Sequence, residues 1–161
     1  MAIWNMMKMK ADSSLKSPVR LIIIILGIVI VFILPYGYHV DLGPGPSGFM
    51  AITWELPEFP VYQDYSGIML LTSLEYFIYY LYRLVVLYAI WKTSLGLMKP
   101  KRLVTHGLAS ELVPVLISIP GSLFLNSEGE NYIPIMIPIP FLFLYCVFLA
   151  LYITKYHLKE S

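Results

Sequence analysis

Cysteine is nearly absent from this chain. Cys146 is the single thiol among 161 residues. One thiol cannot close a disulfide within the chain, so a disulfide-stapled scaffold is excluded, and so is Cys-x-x-Cys redox or zinc chemistry. Charge is scarce as well. Asp, Glu, Lys and Arg together make up 13% of the residues, about half of the roughly 25% usual in soluble domains. Disorder is excluded, because it requires low hydrophobicity and high net charge. A net charge of +1 offers no general attraction for nucleic acid. No glycine-rich phosphate loop and no serine-nucleophile motif occurs. His39, His106 and His157 stand far apart near the ends of apolar runs, without the spacing that haem or zinc ligation needs. No cofactor, no metal and no catalytic constellation is expected. An enzyme would have to work through carboxylate chemistry at Glu75 or Glu111. No internal repeat and no second domain is visible.

What the chain has is apolar surface. Hydrophobic residues account for 58%, and the mean hydropathy is +0.74. The expectation is a single integral membrane domain over residues 1–161. Crossing about 30 Å of hydrocarbon takes roughly 20 apolar residues as a helix. Four stretches approach that length, at about 21–38, 68–91, 104–125 and 133–154. Barrel strands would be half as long and strictly alternating. The predicted fold is therefore all-α, a four-transmembrane-helix bundle with an outer loop of about 30 residues between the first two helices. The third stretch contains Glu111, Pro114, Pro120 and Gly121, so a re-entrant or kinked half-span competes with a full crossing. The fourth opens with prolines 134, 138 and 140, which disfavour helix; regular helix is expected from near Phe141. A cleaved signal peptide competes for the first stretch, but no A-x-A site follows it.

Orientation follows from the cations. Ten of the eleven Lys and Arg lie before the first stretch, between the second and third, or after the fourth. The loops at about 39–67 and 126–132 hold none and carry Asp41, Glu55, Glu58, Asp64, Glu128 and Glu130. Positive residues are retained in the cytoplasm, which places both termini there, in the cell membrane. The Met-rich start of the chain, with Trp4, is read as lying on the inner face. KPKR at 99–102 is a topology determinant or a lipid contact.

The outer loop begins with LGPGPSG, which is turn chemistry. In FMAITWEL, Met50, Ile52, Trp54 and Leu56 alternate with Phe49, Ala51, Thr53 and Glu55, the pattern of one half-buried extended segment. The loop is read as a lid over the helix ends or as a partner-binding element.

Ionisable groups inside apolar spans mark candidate sites. There are three, Glu75, Arg83 and Glu111. At helical spacing Ile68, Thr72, Glu75, Tyr79, Tyr82, Arg83 and Val86 share one stripe. Arg83 lies about 12 Å from the cytoplasmic end of its helix, and Glu111 about 10 Å into the next one. The matched depths predict an Arg83–Glu111 ion pair. Glu75 has no basic partner at its depth, and Thr72, Tyr79 and Tyr82 are its expected neighbours. Ser110, Pro114, Ser118 and Ser122 recur every fourth residue, a helix-packing seam or a cavity-facing stripe.

Three functions stay open. The first is a non-catalytic accessory subunit or scaffold whose partners are the lipid bilayer and another membrane protein or a second copy. The second is a small ion, proton or solute transporter using Glu75, Arg83 and Glu111. The third is a lipid-binding protein or membrane enzyme.

Overall fold

The computed structural model describes residues 15–40, 47–57, 69–70, 77–125 and 135–160. Helix α1 (Ser17–Phe32) leads into strands β1 (Gly37–Val40), β2 (Gly48–Met50), β3 (Trp54–Pro57) and β4 (Met69–Leu70). Helices α2 (Phe77–Ser94) and α3 (Pro100–Leu125) follow, then β5 (Ile135–Pro138) and α4 (Phe141–Glu160). The strands form one sheet in the order β4-β3-β2-β1-β5, antiparallel at each pairing.

This architecture corrects the all-α four-transmembrane-helix bundle. The chain is mixed α/β, and the segments expected as loop or as helix end build a five-stranded sheet. Among the described residues one helical segment, Pro100–Ile119, is long and apolar enough to cross a membrane by length and composition. The multi-pass reading rested on four such segments. Hydropathy overestimated the others because it does not distinguish buried strand from helix. Helix α1 has 16 residues, about 24 Å at the helical rise, and residues 37–38 of its predicted stretch belong to β1. Residues 69–70 of the second stretch pair in β4, and 135–138 of the fourth pair in β5.

The single extended segment expected in FMAITWEL is a hairpin. Ala51 N–H donates to the Trp54 carbonyl at 2.8 Å, and the chain reverses between β2 and β3. Reversal brings Met50 opposite Glu55, and both are buried, although their positions differ in parity along the chain.

Helix ends are tied to the sheet. Trp54 Nε1 donates to the Ile33 carbonyl and Thr53 Oγ1 to the Phe32 carbonyl, both at 2.7 Å. These are carbonyls at the C-terminal end of α1, where helical partners run out. Helix α2 ends in a Schellman motif: Leu97 N–H donates to the Lys92 carbonyl and Gly96 N–H to the Thr93 carbonyl, both at 2.9 Å. Gly96 takes the positive φ of 68° which that cap requires. Pro100 then opens α3, where the missing N–H costs nothing. Helix α3 runs continuously past Glu111, Pro114 and Pro120 to Leu125.

The core joins both layers. Tyr36, Met50, Ile52 and Met136 from the sheet end pack with Tyr80, Val86, Ile90, Leu103, Leu142 and Cys146 from the helices.

Candidate functional site: a sealed charge pair beneath the sheet

Helix α2 supplies Arg83, which is fully buried. Helix α3 supplies Glu111. Arg83 Nη1 donates to Glu111 Oε2 at 3.2 Å. The other carboxylate oxygen, Oε1, accepts from Phe143 N–H at 3.3 Å. Phe143 stands in the first turn of α4, where backbone N–H groups lack helical partners and the helix dipole is positive. Glu111 is thus held by a guanidinium and a helix N-terminus together. The guanidinium carbon also lies 5.7 Å from the centre of the Tyr36 ring, within cation–π range.

On Arg83, Nε and Nη2 find no hydrogen-bond partner among the described residues. Those two donors form the fork that pairs with carboxylates and phosphates.

The Tyr82 hydroxyl lies 2.9 Å from His106 Nδ1 on α3. Thr72 and Glu75 lie outside the described residues. Tyr79 belongs to α2 and Ser122 to α3, with their side chains outside the description.

The remaining seam residues, Ser110, Pro114 and Ser118, are buried on one face of α3. Ser110 Oγ donates back to the Gly107 carbonyl at 2.7 Å and Ser118 Oγ to the Val115 carbonyl at 3.0 Å. Ser118 Oγ also accepts from Met136 N–H of β5 at 3.1 Å. A Cβ on Gly107 would sit 2.8 Å from Cys146 Cβ, so α3 and α4 approach most closely where the side chain is missing.

A second polar contact lies within the sheet and was not legible as a site in the sequence. His39 Nε2 is 2.9 Å from Glu55 Oε1, with both side chains buried. The approach is close, but Nε2 finds no partner of hydrogen-bond geometry among the described residues. His39 pairs with Gly48 of β2, and Glu55 of β3 pairs with Met50 two residues further along β2. Strand parity could have placed His39 on the inner face, but no local pattern named its partner.

Among the described residues no group of three or more His, Cys, Asp or Glu could hold a metal ion. Cys146 is buried against Gly107 and offers no accessible nucleophile. The arrangement positions charges and ties elements together. No family model matches this chain, and no curated protein or solved structure is similar to it.

Proposed function

We propose that the protein is embedded in the cell membrane and acts as a non-catalytic accessory subunit or scaffold. Its helices present large apolar side chains outward while ionisable and hydroxyl groups lie inside. Leu116, Leu151 and Phe148 are 66%, 64% and 78% exposed, whereas Arg83, Glu111, Ser110 and Ser118 are buried. Apolar outer faces with polar groups inside suit a hydrocarbon solvent, and so large an exposed apolar surface would drive association in water. Lys16, Lys92, Lys99, Lys101, Arg102 and Lys155 lie toward the helix ends away from the sheet. The positive-inside rule favours the cytoplasmic side for that end.

One observation carries the non-catalytic reading: Glu111, Ser118 and Tyr145 spend their polar atoms on other elements of the same chain. Glu111 uses both oxygens on α2 and α4, Ser118 holds β5, and Tyr145 Oη donates to the Ile23 carbonyl of α1 at 2.6 Å. Native mass spectrometry after gentle extraction tests it. A stoichiometric heteromeric complex is expected; a lone chain overturns the subunit reading. Alkaline carbonate washing tests the membrane placement, and release into the supernatant overturns it.

The Nε–Nη2 edge of Arg83, which finds no hydrogen-bond partner among the described residues, favours a second reading, a transporter in which a small anion engages that fork. Flux measured in proteoliposomes that is unchanged by Arg83→Leu and Glu75→Gln overturns it.

A further inference from the structure

Helices α1 and α4 do not close against each other along their whole length. Tyr145 and Ile23 meet through the hydroxyl–carbonyl bond. To either side lies a groove of roughly 520 Å³, walled by Ile22 and Leu26 of α1 and by Leu144 and Phe148 of α4. Those four side chains are 57%, 46%, 56% and 78% exposed, so the groove opens laterally. It runs about 12 Å along α4, from Leu144 to Tyr152, and its lining is almost wholly apolar.

Hydrocarbon alone does not select an occupant in a membrane, because bulk lipid tails are as apolar as the groove. Selection must come from the polar end. Lys16 precedes Val19, which lines the groove, by three residues, and Lys155 follows Tyr152 by three on the α4 stripe. Lys155 stands about one helical turn beyond Tyr152, and Lys16 is the N-cap of α1, at the end of the helix where Val19 begins the lining. Both lysines are exposed. Two cations therefore flank the basic end of an apolar slot, the charge arrangement that a phospholipid complements.

We propose that the α1–α4 groove binds one anionic phospholipid, its acyl chain between Ile22, Leu26, Leu144 and Phe148 and its phosphate between Lys16 and Lys155. The inference rests on the membrane placement proposed above and adds a ligand to it.

The test uses the full chain in detergent, titrated by native mass spectrometry with dioleoyl phosphatidylglycerol and, separately, dioleoyl phosphatidylcholine. The tails are identical, so a difference reports the headgroup. One phosphatidylglycerol per chain is expected, held about 25-fold more tightly than phosphatidylcholine at about fivefold per lysine. Lys16→Gln/Lys155→Gln reduces that preference to near unity. Lys99→Gln/Lys101→Gln removes the same charge from the same end and leaves it intact. Leu144→Trp fills the groove from an exposed position and abolishes retention of both lipids, with melting temperature reporting that each variant is folded. Equal retention of the two lipids, an equal effect of the two lysine pairs, wild-type retention by Leu144→Trp, or a dimer displaced by neither lipid overturns the inference. Release of the protein by carbonate overturns the membrane placement instead, so the two failures are distinguishable.

Discussion

Ser118 and Met136 lie on different elements, and one hydroxyl joins them. Ser118 Oγ, in the interior of α3, accepts the N–H of Met136 in β5 at 3.1 Å while donating its own proton to the Val115 carbonyl. A strand buried against a helix needs a partner for each inward backbone N–H, and this serine is one such partner.

Ser118→Ala should therefore leave the Met136 N–H buried and unpaired, at a cost of about 1–3 kcal/mol. Thermal unfolding in detergent measures the loss, and the Met136 amide should exchange faster with solvent deuterium. Unaltered exchange at Met136 would refute the link.

Removing either member of the buried pair leaves an uncompensated charge. Arg83→Leu and Glu111→Leu should each destabilise by about 3–5 kcal/mol. The double variant should be less damaging than the sum, because both buried charges then go together. Simple additivity in the double-mutant cycle would rule out energetic coupling across the 3.2 Å contact.

At Gly107 a methyl group would stand 2.8 Å from Cys146 Cβ and 3.0 Å from its Sγ. Gly107→Ala is expected to cost about 1–3 kcal/mol through overpacking, despite the better helix propensity of alanine. Cys146→Ala should not rescue it, since the nearer contact is the Cβ that alanine retains. A stable Gly107→Ala protein would mean that α3 and α4 are not this close.

The two side-chain bonds to the end of α1 make a local prediction. Thr53→Val and Trp54→Phe should each cost about 0.5–1.5 kcal/mol, and exchange should rise in the amides that follow Phe32. A global loss of stability without local fraying would argue against a capping role.

Cys146 is the one thiol in the chain, and it is buried. Maleimide labelling of the folded protein should be slow and should accelerate with unfolding. The thiol then serves as a direct probe of opening at the α3–α4 seam. Rapid labelling under native conditions would contradict the packing around Gly107.

The residues of the charge pair were legible because helical rise converts sequence distance into depth. Arg83 and Glu111 flank a short turn, so equal distances from it imply equal heights. Tyr36 and the Phe143 amide were not legible as partners of that pair. Tyr36 follows α1 and stands 47 residues before Arg83, and a backbone N–H carries no side-chain signature. Tyr82 shares a stripe with Glu75, but that stripe did not name His106 on the neighbouring helix, which its hydroxyl meets. A stripe specifies a face but not which neighbour covers it.

The sheet was missed for a related reason. IMIP and GYHV are apolar enough to extend a helical span by hydropathy, and window averages ignore which backbone partner is available. Residues 37–40 meet 135–138 across almost a hundred positions of chain, and no local pattern encodes such a pairing. The FMAITWEL alternation signalled extended chain, but the turn at 51–53 reversed its inward parity.

Composition by itself determined that apolar residues make up 58% of the chain and charged ones 13%, and that no disulfide can form within it. Those are additive properties, summed residue by residue. Tertiary structure decided that the segments between helices pair into a five-stranded sheet, that Glu111 rests on the N-terminus of α4, that His39 meets Glu55, and that α1 and α4 leave a groove between them. Each of these depends on which distant backbone reaches which, and that choice is set by the joint packing of the whole core.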